Sequence, residues 1–146
     1  MQAIDLGLSV MWGDRNLGAA RIGQSGNTYT WSDAMKLRNG LDIAGQILGK
    51  GWRLPTYEEV EELFSNKHVP DFSLYGFGVV VYGRNGNTIF LPALELQYRG
   101  QYWSSTLEEG KPGCASQFRF DRSGSWGGYN KIDVRQSIRP VFDPKL

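Results

Sequence analysis

Apolar and polar positions alternate along much of this chain, and helical spacing is confined to its first half. The run "FGVVVYGRNGNTIFLPAL" at 77–94 sets two β-branched and aromatic segments around Asn85 and Gly86, residues that accept positive φ, and predicts a hairpin. "QYWSST" and "ASQFRFD" read as strands with alternate residues inward, and "QSIRPVF" as a last strand broken at Pro140. Near the start, "AIDLGLSVMW" mixes alternation with Gly7 and predicts one short strand or two half-strands.

Helical signals lie between residues 27 and 68. In "NTYTWSDAMKL", Ser32 or Asp33 is a candidate cap for a helix from Ala34, interrupted by the "RNG" at 38–40. "LDIAGQILGKG" resumes apolar spacing at Leu41, Ala44, Ile47 and Leu48 and stops at Gly49 and Gly51. The clearest helix begins in "WRLPTYEEVEELFSNKH", where Thr56 stands three residues before Glu59 as a reciprocal cap. Val60, Leu63 and Phe64 form its core stripe, and Glu58, Glu61 and Glu62 face water. No internal repeat or low-complexity tract occurs.

Composition narrows the class. The 146 residues predict a single domain, 1–146, long enough for a core without staples. Lys and Arg total 16 against 15 Asp and Glu, a net charge of +1, so no whole-molecule field favours nucleic acid or an anionic membrane. With 19 Gly and 13% aromatic residues, the chain is expected to carry many turns pinned by large rings. Cys114 is the only cysteine, which excludes an internal disulfide and a multi-thiolate zinc site. No run of about 18 apolar residues and no leader-like N-terminus is read, so the sequence itself gives no localisation.

"AIDLGLSVMWGDRNLGA", "GKGWRLPTYEEVEELF", "NGNTIFLPA", "YWSST" and "SIRPVF" occur in an order that resembles the Trp-Arg-Leu-Pro-Thr family of bacterial surface domains, also called the Fibrobacter major paralogous domain. The resemblance spans Ile4 to Phe142. It implies an α+β, C-type lectin-like fold related to formylglycine-generating enzymes: paired N- and C-terminal strands, two helices flanking small antiparallel sheets, and long loops that carry ligand contacts. It further implies kinship with the variable proteins of diversity-generating retroelements, whose changing residues lie near the C-terminus. Display on a cell or virion surface follows from the same resemblance.

Most individual motifs have a structural reading. In "WRLPT", Trp52 and Leu54 alternate inward, and Arg53 is expected to pair with a carbonyl or carboxylate. Ser104 and Ser105 are expected to bond backbone. Formylglycine-generating chemistry, as the resemblance implies, needs two cysteines, and this chain has one. His68, the only histidine, reads as the polar end of the helix. Calcium-dependent sugar binding in the resembled fold uses Glu-Pro-Asn or Gln-Pro-Asp with Trp-Asn-Asp, and none of these triplets occurs. Asp71, Asp121 and Asp133 are isolated. Accordingly no metal, cofactor or catalytic residue is expected.

The stretch from Leu107 to Gln136 is different. Alternation in "SQFRFDR" puts Phe118 and Phe120 on one face and leaves Gln117, Arg119 and Asp121 on the other. "DRSGSWGGYNK" reads as a glycine-rich loop with the Tyr, Trp, Arg, Ser and Asn content of a binding loop. The candidate ligand-binding residues are therefore Glu108, Glu109, Lys111, Gln117, Arg119, Asp121, Arg122, Ser125, Trp126, Tyr129, Asn130, Lys131, Asp133 and Arg135. Trp126 and Tyr129 serve as anchors, and Arg119, Arg122 and Asp133 select by charge. A patch of this kind supplies roughly 800 Å² per partner. The expected function is a non-enzymatic module binding a protein or glycan on another cell or particle. The alternatives are an assembly module of a surface or fimbrial-tip protein, and an enzyme with an unrecognised carboxylate site.

Overall fold

The computed structural model describes residues 1–72, 76–94 and 98–145, and of Trp126 the backbone alone. In chain order the elements are β1 (Ala3–Ile4), β2 (Met11–Gly13), β3 (Tyr29–Thr30), α1 (Trp31–Ala34), α2 (Ile43–Leu48), β4 (Trp52–Arg53), α3 (Tyr57–Phe64), β5 (His68–Asp71), β6 (Gly78–Tyr82), β7 (Thr88–Pro92), β8 (Arg99–Leu107), β9 (Cys114–Asp121), β10 (Gly124–Lys131), β11 (Arg135–Gln136) and β12 (Val141–Phe142). They pair antiparallel as β1-β2-β12-β4, β10-β9-β8, β11-β3 and β5-β6-β7. Three sequence motifs meet in the first sheet: Val141 lies opposite Trp12 on one side and Arg53 on the other. The N- and C-terminal strands thus pair as expected. Gly51 has φ +100°, and a Cβ there would stand 2.6 Å from the Phe142 ring, so no other residue fits beside β12 without movement. The hairpin around Asn85 and Gly86 is also present, with Val80 opposite Phe90 and Gly86 at φ +87°.

The expectation of an α+β, C-type lectin-like domain with two helices flanking its sheets does not hold. Among the described residues antiparallel strands dominate, and the helices are three short ones of 4, 6 and 8 residues. Local chemistry explains why. α1 is capped by Thr30, whose Oγ1 accepts from the Asp33 amide at 3.1 Å, and not by Ser32 or Asp33. Soon after it the chain reverses through Asn39 and Gly40, at φ 51° and 76°. α2 is capped by Asp42 and closed by Gly49 at φ 105°. Only α3 carries both the reciprocal Thr56–Glu59 cap and a core stripe, with Val60 and Leu63 buried. The glycine-rich stretch expected as a loop is strand β10, paired with β9 from Gly124 to Lys131.

Two apolar clusters hold the sheets together. The larger gathers Trp12, Val60, Leu63, Phe77, Val79, Leu91, Tyr102, Phe118, Phe120 and Val141. The smaller contains Leu17, Ala34, Ala44, Leu54, Trp103, Ala115 and Ile138. The β8–β10 sheet therefore has a core on both sides: Tyr102, Phe118 and Phe120 enter the first, and Trp103 and Ala115 the second. Gly100 has no side chain because the Phe120 ring occupies that space.

A buried polar network links the layers. Arg139, fully buried, donates to Asn16 Oδ1 at 3.0 Å, Gly13 O at 3.1 Å and Phe90 O at 2.6 Å. Burial pushes its pKa down to about 10. Tyr102 Oη donates to Pro92 O at 2.7 Å and accepts from Asn16 Nδ2 at 2.9 Å, and burial pushes its pKa up to about 12. Arg53 makes a two-pronged pair with Glu59 at 2.7 and 2.8 Å, which fixes β4 to the start of α3. That is the partner expected for the arginine of "WRLPT".

Candidate functional site

The C-terminal hairpin β9–β10 carries most of the candidate residues, and its two faces differ. Arg119 and Asp121 lie on the face away from Phe118 and Phe120, beside Gln101 and Arg99 of β8. All four are at least partly exposed. Gln117 shares that face but is only 6% exposed, contrary to expectation. Its neighbour across β8 is Trp103, and the second core covers this end of the sheet. Alternation assigned Gln117 the right face; it did not show that the face is covered at one end.

At the open end, the turn between β9 and β10 presents Arg122 to solvent. Asp121 shapes this turn by accepting from the Ser123 amide at 2.8 Å and hydroxyl at 2.6 Å, bonds that hold its carboxyl below the usual range. The Arg122 guanidinium stands 4.2 Å from the Tyr98 ring centroid and 5.7 Å from that of Phe72. Tyr98 is 49% and Phe72 55% exposed. Phe77 backs both, 4.8 Å from Phe72 and 6.3 Å from Tyr98, and itself meets core Phe120 at 6.2 Å. Sequence analysis identified Arg122 and missed both rings, because Phe72 and Tyr98 come from segments with no periodic signal.

The remaining candidates do not join this cluster. β10 spans roughly 25 Å, and Tyr129 lies towards its far end. Tyr129 is exposed there, with Lys111 Nζ 5.5 Å from its ring centroid. Glu108 and Glu109 line a depression with Leu107, Ser116 and Gly128 at that end. Asn130 is half-buried and donates to Gln136 Oε1 at 3.3 Å. Lys131 and Asp133 are exposed, and Arg135 donates to Thr28 O at 2.7 Å. The side chain of Trp126, the expected anchor, lies outside the described residues. The described candidates are spread along the hairpin and the segments that flank it and do not form one patch.

A cleft of about 430 Å³ opens on the Phe118 side, between α3 and β10. Val60, Phe64 and Phe118 supply apolar lining, and Tyr57, Glu61, His68, Arg119 and Ser125 supply polar groups. The Tyr57 ring approaches Gly127, 3.6 Å from where a Cβ would stand. Desolvation, with Glu61 and Glu108 nearby, raises the Tyr57 phenol pKa. His68 belongs to β5 and is not the end of a helix. It bonds Asn66 O through Nδ1 and Ser125 Oγ through Nε2, each at 2.9 Å. Among the described residues no three His, Cys, Asp or Glu side chains converge as a cation cage.

The family profile of the Lcl C-terminal domain matches residues 2–142. The chain belongs to that family. No curated protein and no solved structure matches it. In this Lcl C-terminal domain the matched span takes in every element from β1 to β12. Framework and hairpin are therefore parts of one family unit, and the surface at the turn is built on that frame.

Proposed function

We propose that this Lcl C-terminal domain is a ligand-binding module whose contact surface is the β9–β10 turn with the open end of the adjoining sheet face. The observation that carries the reading is the Arg122–Tyr98–Phe72 cluster. It is a cation over exposed rings, anchored through Phe77 to the core, at the tip of a hairpin. Exposed aromatic and arginine side chains on a rigid support are the residues that dominate binding energy at interfaces. Arg99, Arg119 and Asp121 add directional charge around it. The ligand class is a protein or glycan on another cell or particle, and surface display belongs to the same proposal. Family membership supports a variable module. A retroelement origin would show as a near-copy of the segment encoding residues 104–142 beside a reverse transcriptase gene.

The test screens the immobilised chain against a glycan array and a displayed-peptide library, then repeats each hit with Arg122→Ala and Tyr98→Ala. Hits are expected to weaken at least about tenfold, the range for hot-spot truncation. Hits that bind both variants as tightly as the parent would move the contact surface elsewhere.

A further inference from the structure

We propose that Ser125 and His68 form a nucleophile and base that give the cleft between α3 and β10 a capacity beyond binding, hydrolysis of a small carboxylic ester. Ser125 Oγ lies 2.9 Å from His68 Nε2, and His68 Nδ1 lies 2.9 Å from the carbonyl oxygen of Asn66. A carbonyl has no proton to give, so Nδ1 carries the ring hydrogen. In the neutral imidazole Nε2 then keeps its lone pair, and the serine hydroxyl is the donor. That is the tautomer a serine nucleophile needs, with a backbone carbonyl orienting the ring where a carboxylate does so in the Ser-His-Asp arrangement. The Phe64 ring meets the imidazole edge-on, at 5.2 Å and 81°, and restricts its rotation.

The surroundings fit an acyl group. Val60, Phe64 and Phe118 line the cleft beside the hydroxyl, and its volume of about 430 Å³ admits a small ester. β10 is the edge strand of its sheet, so every second amide on it points away from β9 without a ladder partner. Gly127, two residues past the nucleophile, lines the cleft with no side chain to cover its backbone, leaving that stretch able to offer an N–H to a developing oxyanion. Glu61 and Arg119 both line the cleft, so its wall carries no single sign of charge, which fits neutral short-chain esters.

The chemistry balances. Ser125 Oγ attacks the ester carbonyl carbon as its proton passes to Nε2. Collapse of the tetrahedral adduct breaks the bond to the alcohol oxygen, which leaves with that proton. Water adds to the acyl-serine, its proton returns through Nε2 to Oγ, and the carboxylic acid departs. Nothing is oxidised or reduced.

The intact chain is treated with a fluorophosphonate and, separately, with p-nitrophenyl acetate, and the adducts are located by mass. One adduct per chain on Ser125 is expected. It should be absent in Ser125→Ala and slower by on the order of a hundredfold in His68→Gln, while Lys50→Ala, at an exposed position outside both sites, reacts like the parent. An unreacted Ser125 in the folded parent, or an unchanged rate in folded His68→Gln, overturns the proposal. Where His68→Gln fails to fold, Ser125→Cys decides: iodoacetamide should modify the new thiol about tenfold faster than Cys114 in the same chain, because an adjacent imidazole favours thiolate. Equal rates at the two thiols also overturn it.

Discussion

The binding proposal needs a rigid frame beneath a replaceable surface, and Phe118→Ala compared with Arg122→Ala tests that directly. Phe118 is 3% exposed, stacked on Tyr102 at 4.9 Å and 9°, and in contact with Phe64 at 5.1 Å. Burying a phenyl side chain removes roughly 200 Å² from water, worth about 5 kcal/mol at 25 cal/mol per Å². Truncation to Ala therefore costs about 3–5 kcal/mol. For 146 residues the unfolding entropy is about 0.3 kcal/mol per degree, so Tm falls by roughly 10–16 °C. Arg122 is exposed and stacks on rings that are themselves about half exposed, so Arg122→Ala changes stability by less than about 0.5 kcal/mol, under roughly 2 °C. Differential scanning calorimetry on both variants reads the contrast. A drop of similar size in both would show the turn to be part of the frame, and the division between frame and contact surface would fail.

Three further outcomes follow from buried partners. Thr56→Ala removes the hydroxyl that accepts from the Glu59 amide at 3.2 Å and should cost about 1 kcal/mol by urea unfolding; no change would mean the cap is not formed in solution. Tyr102→Phe leaves Pro92 O without its donor and removes one of the two acceptors of Asn16 Nδ2, which keeps Ser25 O, and should cost about 1–3 kcal/mol, read as a lower urea midpoint with an unchanged slope. Burial alone would raise the Glu59 pKa, but the Arg53 guanidinium and Thr56 outweigh it and hold it below the ordinary 4.5. Its contribution is thus fully present above pH 4.5 and is lost as pH falls through the lower folded value. Asp42, whose pKa is raised by burial, works in the opposite direction. Glu59→Gln should therefore destabilise at pH 7 and flatten the stability curve between pH 5 and pH 3; an unaltered acid limb would refute the assigned pair.

What the sequence revealed was local and repetitive. The Thr56–Glu59 cap, the hairpin at Gly86 and the inward set Phe118 and Phe120 each rest on residues within a few positions of one another, and each is present. What it concealed depends on distant segments. The breaks at 38–40 and at Gly49 were legible, but the first helix was expected to start at Ala34, where it in fact ends, because Thr30 rather than Ser32 or Asp33 caps it. The glycines of "SGSWGGYNK" argued for a loop, yet an edge strand tolerates them, and Gly127 gives Tyr57 room to lie against β10. His68 and Ser125 are 57 positions apart, so no motif search would have joined them.

The same reasoning sets limits on where this surface can change. Gln117 and Arg119 point to one side of β9, two residues apart, and a rule based on alternation treats them alike. Their surroundings separate them: Gln117 lies beside Trp103 under the second core and accepts from Asn130 at 3.5 Å, whereas Arg119 lies beside Gln101 where the sheet is open. A substitution at 117 must therefore match a packed space, and one at 119, half-buried with its Nε shielded from solvent, alters local packing as well as the charge presented to a ligand. Freedom on this face thus depends on position along the strand as well as on side-chain direction. It increases from the covered end towards the turn, where Arg122 meets Tyr98 and Phe72. That gradient places the least constrained positions beside the proposed contact cluster, an arrangement in which a ligand surface can vary while the fold beneath it is kept.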